Sequence, residues 1–117
     1  MTVKRIVANI AGDPDAAHAF YGELLGLDIK MDMGWIRTYG SSEGMTVQMS
    51  VMTQGGSDSP VPDLSIEVDD VDAVLEKARA MSIPITYGPT DEPWGVRRFF
   101  VRDPFGKLVN ILSHTDG

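Results

Sequence analysis

Two carboxylates stand close together at a predicted strand in the second half of the chain, at residues 64–68. Asp63 and Glu67 are four residues apart, so both side chains point to one face of an extended segment. Carboxylates on one face can act as an acid/base pair. The alternative is that Glu67 is solvated or paired with an arginine. The sequence shows no catalytic triad, in which a nucleophile is paired with a base and a residue that orients that base. It also shows no glycine-rich phosphate-binding loop and no run of basic and aromatic residues typical of nucleic-acid binding.

Aromatic residues in or beside predicted strands are candidates for a ligand pocket. Aromatic faces bind planar or cationic ligands, but aromatic residues in short strands also fill cores and subunit interfaces. For these aromatic residues, a ligand-binding role and a structural role both remain open. The tryptophans are the better ligand candidates, because each follows a loop breaker near the start of a strand. The set consists of Trp35, Tyr39, Trp94, Phe99 and Phe100.

Arginines cluster close to Trp94 in the sequence. Such a cluster can hold a carboxylate or a phosphate. We favour the alternative, in which the arginines pair with surface acids such as Asp91 and Glu92. Because neighbouring strand residues face opposite ways, at most one of Arg97 and Arg98 points inward.

The histidines and the absence of cysteine limit the metal chemistry. His18 lies off the apolar stripe of the first predicted helix, and His114 follows the last predicted strand. We predict that both are surface residues, since neither has a companion at ligand spacing. The chain has no cysteine, which excludes disulfides, thiolate metal sites and a cysteine nucleophile.

One arrangement of elements occurs twice, and this repeat positions the candidates. Residues 6–48 and 63–110 each contain a strand, a helix opened by an Asp cap, and further strands. Units this small bury too little apolar surface alone, so the copies should share a core. We predict an α+β fold of two tandem βαβββ modules in a single domain, residues 1–117. Module 1 is 1–53, the linker is 54–62 and module 2 is 63–114.

Local signals set the expected element limits. The first helix should run from the Asp13-Pro14 cap to a glycine C-cap at Gly26. A strand is predicted at residues 84–87. The proline-rich stretch 88–95 is predicted to be a loop.

Strand alternation assigns side chains to faces. Ile66 and Val68 should pack on a helix, while Glu67 points the other way. The same rule gives both modules a layer of mixed polarity opposite their helices, and two such sheets facing each other would enclose a partly polar cavity. The polar residues expected in this layer include Thr46, Gln48, Ser50, Asp63, Ser65, Glu67 and Asn110.

The net charge of −7 disfavours nucleic acid as a partner, because phosphate contacts need a basic face. An acidic surface also suits a cationic ligand, although keeping the protein soluble is the favoured explanation. No apolar run approaches the roughly 18 residues of a membrane span. Residues 1–6 lack the apolar stretch of a signal peptide. We therefore expect a cytoplasmic protein without a membrane partner.

Three stretches resemble the vicinal oxygen chelate superfamily, the glyoxalase, bleomycin-resistance and extradiol-dioxygenase group. They are residues 13–27 (DPDAAHAFYGELLGL), 66–72 (IEVDDVD) and 101–110 (VRDPFGKLVN). The resemblance covers nearly the whole chain. It implies the fold of that group, in which two βαβββ modules form a curved mixed sheet around a cleft. Because its members run many chemistries, the resemblance does not give the function.

The resemblance also implies where metal ligands would stand. Metal-using members carry a histidine or carboxylate on the first and last strands of each module. Here these positions hold Ile6, Gln48, Asp63 and Asn110. Isoleucine cannot ligate a metal, and the two amides are weak donors beside a single carboxylate. We therefore expect no metal and no other cofactor.

We expect a glyoxalase/bleomycin-resistance-like protein that sequesters or senses a small organic ligand, with a cationic ligand as one option, in a homodimer cleft and without a transition metal. The alternative is a divergent glyoxalase-, isomerase- or dioxygenase-like enzyme, for which Asp63 and Glu67 are the catalytic candidates. The expected ligand contacts are Trp35, Arg37, Tyr39, Gln48, Ser50, Trp94, Phe99 and Asn110.

Overall fold

A computed structural model describes residues 2–24, 26–41 and 48–115. Within these residues the elements follow the order β-α-β-β-β twice, which confirms the α+β class and the repeat. The elements are β1 (Val3–Ala11), α1 (Pro14–Ala17), a π-helical segment (His18–Leu24), β2 (Asp28–Asp32), β3 (Ile36–Gly40), β4 (Gln48–Met52), β5 (Leu64–Val68), α2 (Val71–Ala80), β6 (Tyr87–Glu92), β7 (Val96–Arg102) and β8 (Leu108–His114).

By its internal contacts the chain divides into two compact units, here named the N-terminal unit (residues 7–61) and the C-terminal unit (residues 1–6 and 62–117). In this division β1 contributes its first residues to the C-terminal unit and the rest to the N-terminal unit, and residues 54–61 of the predicted linker fall in the N-terminal unit. None of the described helices is long and apolar enough to cross a membrane.

The N-terminal unit is a mixed sheet with the strand order β2-β3-β4-β1. β1 and β4 are parallel, whereas β2–β3 and β3–β4 are antiparallel. Its helical stretch begins as predicted, because the Asp13 carboxylate accepts a hydrogen bond from the backbone N–H of Asp15. The predicted continuous α-helix is wrong after Ala17, where the chain continues with π-helical bonding to Leu24. Gly26 follows with φ 70°, a left-handed conformation that suits glycine at a helix end.

The C-terminal unit packs α2 on a mixed sheet in which β1 is followed by β5, β8, β7 and β6. β5 and β8 are parallel, and β7 pairs antiparallel with both β8 and β6. Asp70 caps α2 by accepting from the Ala73 backbone N–H at 3.1 Å. The core confirms the predicted helix-facing side chains of β5 and β8. Its buried members are Val68, Val71, Leu75, Ala78, Phe99, Val101 and Val109, with Ile66 and Ile111 packed against them.

β6 lies where a loop was predicted. The strand begins at Tyr87 and continues to Glu92, opposite Phe100 and Val96 of β7, with a shift of register between Tyr87 and Thr90. The glycine and proline at residues 88–89 are tolerated because β6 is the edge strand of its unit and is irregular at this point. β6 therefore brings two polar side chains, Tyr87 and Glu92, onto the sheet.

Candidate functional site

The face of the C-terminal sheet opposite α2 carries the polar and aromatic side chains of the candidate site. Asn110 of β8 lies between Ser65 of β5 and Phe100 of β7 in the strand register. Arg98 is opposite Leu112 on β8, two residues along from Asn110, so Arg98 and Asn110 share this face. Both are buried, at 3% and 7% exposure.

A buried ion pair occupies the centre of this face. The Arg98 Nε–H donates to Glu92 Oε2 at 2.7 Å, and Arg98 Nη2 lies 2.6 Å from the same oxygen. The Tyr87 hydroxyl also donates to Glu92 Oε2 at 2.9 Å. Each charged side chain retains 4% of its exposure. Such a pair needs these hydrogen bonds to offset the cost of removing two charges from water.

Aromatic rings surround the guanidinium of this pair. The Arg98 Cζ lies 5.1 Å from the ring centroids of Tyr87 and Trp94 and 4.8 Å from that of Phe100. These distances are within the range of cation–π interactions. We name Tyr87, Glu92, Trp94, Arg98 and Phe100 the Arg98 cluster. Its aromatic faces hold a cation that belongs to the protein itself.

The side-chain amide of Asn110 is buried and makes one hydrogen bond within the described residues. Its Nδ2 donates to Ser65 Oγ at 3.2 Å. Its Oδ1 is buried and has no hydrogen-bond partner among the described residues. A buried acceptor left unsatisfied costs about 1–3 kcal/mol. Asn110 was among the predicted ligand contacts, and its orientation away from α2 agrees with the predicted alternation.

A second polar group, here named the Glu67 cluster, lies where β1 begins and β8 ends. The Arg5 Nε–H donates to Glu67 Oε1 at 2.7 Å, and His114 Nδ1 lies 3.0 Å from Oε2. Lys4 Nζ is 3.8 Å from Oε2. Burial raises the pKa of Glu67, but the hydrogen bond from His114 and the charge of Arg5 outweigh it and hold this pKa below its ordinary value. Glu67 is therefore paired with an arginine, as in the alternative weighed from the sequence.

The other catalytic candidate, Asp63, has a structural contact. Its Oδ2 accepts a hydrogen bond from the Leu108 backbone N–H at 2.8 Å. The Asp63 backbone N–H in turn donates to the Leu108 carbonyl at 2.8 Å. This carboxylate thus joins the start of β5 to the start of β8. Glu67 is engaged separately from Asp63, by Arg5 and by His114, which is 47 residues away.

The residues at the implied metal positions do not fit a transition metal. Ile6 is a hydrocarbon side chain that is 57% exposed. Asp63 is engaged with the backbone of β8, and Gln48 and Asn110 supply only amides. In the part of the chain that the structure describes, no group of three or more His, Asp or Glu residues is placed to hold a metal ion.

Two predicted ligand contacts of the N-terminal unit lie on its helix side. The Arg37 guanidinium donates to Asp15 Oδ1 at 2.8 Å, to Asp32 Oδ2 at 3.1 Å and to the Pro14 carbonyl at 3.0 Å. Tyr39 is fully buried beside the helical segment, with its ring 6.1 Å from that of Tyr21. Their period-two spacing places both on the face that packs on the helices.

The remaining predicted contacts divide between core and sheet face. Phe99 is fully buried in the core around α2, because it alternates with Arg98 and Phe100. Ser50 is buried on the opposite face of the N-terminal sheet, where its hydroxyl is 2.7 Å from that of Thr38. Trp35 and Gln48 are half-buried. Of the predicted aromatic pair, Trp94 joins the Arg98 cluster.

His18 differs from the surface position predicted for it, whereas His114 is exposed as predicted. His18 is half-buried, its ring is stacked 6.3 Å from that of Tyr39, and its Nδ1 is buried. His114 is the last residue of β8 and contacts Glu67. The sequence signal missed for His114 is alternation, which places it on the same face as Asn110 and Leu112.

Sequence reasoning also missed Tyr87, and it placed Glu92 on the surface. The pairing of acids with Arg97 and Arg98 was foreseen: Arg97 pairs with Asp72 at 3.0 Å and with Asp91 at 3.4 Å, while Arg98 turns inward to the buried Glu92. The burial of that acid depends on β6, which the sequence had predicted as a loop.

Solved structures of low sequence identity share this fold. A crystal structure of NAD-dependent benzaldehyde dehydrogenase from Legionella pneumophila aligns with a TM-score of 0.75 and 18% identity, covering 94% of this chain and 99% of the other. A variant of Streptomyces coelicolor methylmalonyl-CoA epimerase in complex with 2-nitronate-propionyl-CoA gives 0.69 and 20%, over 97% and 99%. A glyoxalase/bleomycin resistance protein/dioxygenase superfamily member from Vibrio splendidus 12B01 gives 0.62 and 18%, over 96% and 99%.

A search of curated proteins finds no match. The family model of the Glyoxalase/Bleomycin resistance protein/Dioxygenase superfamily matches residues 5–111. This match spans both repeats, including the stretches at 13–27, 66–72 and 101–110. The chain belongs to the Glyoxalase/Bleomycin resistance protein/Dioxygenase superfamily.

Proposed function

We propose that this protein binds a small organic molecule, without a transition metal, on the sheet face formed by the Arg98 cluster and Asn110. The observation that carries the proposal is the buried Oδ1 of Asn110, which has no partner among the described residues. Native proteins leave few buried polar atoms unpaired. A ligand that donates a hydrogen bond to this oxygen would remove the penalty.

The neighbouring ion pair supports the same assignment. Replacing a buried ion pair by apolar residues of similar volume is often neutral or stabilising. A contribution to stability is therefore a weak explanation for the presence of Arg98 and Glu92. Rings, a buried charge pair and an unsatisfied acceptor on one face are the features expected of a ligand site, in which a few polar groups orient a molecule held by apolar contacts.

The Arg98 cluster also bears on the kind of ligand. The rings that would receive a cationic ligand lie around Arg98, so such a ligand would compete with the protein's own guanidinium. The net charge of −7 does not remove this competition, since the field of exposed charges is screened over about 8 Å at physiological salt. We therefore favour an uncharged planar compound with an N–H or O–H donor.

Asn110→Leu tests the proposal, because it removes the unpaired acceptor while keeping a side chain of similar size. Compounds would be screened by thermal shift, with uncharged heteroaromatic donors and cationic amines as separate sets. Binding would then be measured by Trp94 fluorescence in a Trp35→Phe background. We expect Asn110→Leu to weaken binding of a hit by about five- to tenfold or more, which corresponds to about 1–3 kcal/mol, and to leave the free protein at least as stable.

Ser65→Ala is the matched control, since it removes the partner of Nδ2 and keeps Oδ1. Equal affinity of the Asn110→Leu and parent proteins for every hit would contradict the proposal. A preference for the cationic set would retain the binding role but exclude the uncharged ligand class.

The alternative function is a divergent enzyme of the superfamily, and methylmalonyl-CoA epimerase among the structural relatives keeps it open. At 20% identity that likeness supports the fold alone. Asp63 and Glu67 are both engaged, and the lowered pKa of Glu67 makes it a weak base near neutral pH. A stoichiometric metal in the purified protein, with an activity lost on chelation and in Asp63→Ala, would favour the enzyme over the binding protein.

A further inference from the structure

The Arg98 cluster is assembled from two segments of the C-terminal unit. Arg98 and Phe100 belong to β7, whereas Glu92 and Trp94 come from the end of β6 and the turn that follows it. The ring centroid of Trp94 lies 5.1 Å from Arg98 Cζ, and Glu92 Oε2 accepts from the Arg98 Nε–H at 2.7 Å. The segment before β7 therefore lies against the guanidinium.

The side chains proposed to contact a ligand are almost closed to solvent. Arg98 and Asn110 are 3% and 7% exposed, and Phe100, opposite Asn110 on β7, is 1% exposed. A ligand therefore reaches this face only when some part of the protein moves. The core around α2 is built from β5, α2, β7, β8 and residues 83–85. Residues 89–94 can thus move away from Arg98 while that core stays packed.

Residues 89–94, here named the strap, are bounded by two glycines in the left-handed conformation. Gly88 has φ 78° and Gly95 has φ 89°. The chain is anchored beyond each glycine, because the Thr86 N–H donates to a carbonyl of β7 at 2.9 Å and the Thr115 N–H donates to the Gly95 carbonyl at 2.9 Å. Since glycine changes its backbone angles at little steric cost, both positions suit a hinge.

The backbone of the strap is suited to local opening. Pro89 and Pro93 have no N–H to donate. β6 is the edge strand of its unit, and its register with β7 shifts between Tyr87 and Thr90. The outer N–H groups of an edge strand face away from the sheet. A segment with few backbone bonds to its neighbour opens at a lower free energy than the whole unit.

We propose that the strap opens between Gly88 and Gly95 and admits the ligand to the Arg98 cluster. This inference rests on the proposed function, since it concerns entry to the same site. Opening withdraws Glu92 and Trp94 from Arg98 and brings both charges of the ion pair into contact with water. Closure restores the ion pair and returns Trp94 to the guanidinium, so the bound ligand is enclosed.

A disulfide across the β6–β7 ladder tests the strap directly, because the chain has no cysteine of its own. Asp91 and Arg97 are directly opposite each other, and partners of this kind have Cα atoms about 4.5–5.5 Å apart, within the range that a disulfide spans. The variant is Asp91→Cys/Arg97→Cys, and neither residue belongs to the Arg98 cluster. Its reduced form is the matched control, since it has the same sequence and a free strap.

Amide hydrogen exchange, followed by NMR, measures the opening without a ligand. In the reduced protein, the N–H groups of residues 90–92 that face β7 should exchange about tenfold or more faster than those of Asn110 and Ile111 on β8. The disulfide should remove most of this difference. Exchange in the reduced protein as slow as that of β8 would overturn the proposal, because the strap would then open only with the whole unit.

2-Pyridone, a planar uncharged compound with one N–H donor, is the probe for entry. Its association would be followed through the side-chain amide resonances of Asn110 in both forms of the variant. We expect the disulfide to slow association about tenfold or more, because entry requires the open strap. Equal association rates would overturn the strap as the entrance while retaining the proposed function. Exchange that responds to the disulfide, without binding of 2-pyridone to either form, would support the opening and count against the proposed ligand class.

Discussion

Glu92→Gln should be among the most destabilising single substitutions in the C-terminal unit. Glu92 Oε2 accepts from the Arg98 Nε–H at 2.7 Å and from the Tyr87 hydroxyl at 2.9 Å, and Arg98 Nη2 lies 2.6 Å away. Removing the negative charge takes away the carboxylate that faces a guanidinium of only 4% exposure. Breaking a buried pair in this way costs about 3–5 kcal/mol. The three rings around Arg98 reduce the loss by about 1 kcal/mol or more.

The free energy of unfolding would be measured by urea denaturation at pH 7, with fluorescence and far-UV circular dichroism as independent probes. Asp91→Asn is the matched control from the adjacent position. Asp91 is 70% exposed and lies 3.4 Å from Arg97, so its loss should cost less than about 1 kcal/mol. The double variant Glu92→Leu/Arg98→Met should recover most of the lost stability, since it removes both charges of this buried pair.

A loss of unfolding free energy in Glu92→Gln no larger than that in Asp91→Asn would refute the expected destabilisation. That result would mean that the Arg98 guanidinium is solvated in the native protein. A double variant as unstable as Glu92→Gln would show instead that the two side chains stabilise the unit through packing, independently of their charges.

Two further predictions concern acid stability and assembly. The folded-state pKa of Glu67 is lowered, so its contribution is fully present above its unfolded pKa and is lost as the pH falls below about 4.3 and through the folded value. Glu67→Gln should therefore flatten the fall in the free energy of unfolding over that range, and a slope identical to the parent's would contradict this assignment. For assembly, we expect a homodimer, because Phe20, Ile29 and Met31 of the N-terminal unit are 53%, 45% and 39% exposed. Sedimentation velocity at micromolar concentration measures this, and a monomer would exclude it.

Some of the candidate site follows from local sequence. Alternation along β5 and β8 correctly separated Ile66 and Val68 from Glu67, and it placed Asn110 away from α2. These residues were predictable because a strand has a fixed period of two and one face must bury apolar surface. The same rule applied to β7 would have separated Phe99, in the core, from Arg98.

Other parts of the site depend on contacts between distant segments. β6 contains Gly88 and Pro89, which are typical of loops, and pairing with β7 makes it a strand. The burial of Glu92 follows from that pairing. His114 resembled a residue at a frayed end, yet parallel pairing of β5 with β8 brings it to Glu67. Alternation gives the face of His114, but the partner strand in each contact cannot be read from the local sequence, because strand partners are chosen by packing over the whole unit.

The sequence by itself determined the repeat, the α+β class and the superfamily. It also determined that the implied metal positions carry few groups able to bind a metal; these positions are Ile6, Gln48, Asp63 and Asn110. These properties depend on residue identity and short-range periodicity, which can be read along the chain. Only the tertiary structure decided that Arg98 lies among aromatic rings beside Glu92, that Asn110 Oδ1 is buried without a partner among the described residues, and that basic residues converge on Glu67. Their burial and charge state are set by neighbours distant in sequence, and it is burial that makes a polar contact energetically consequential.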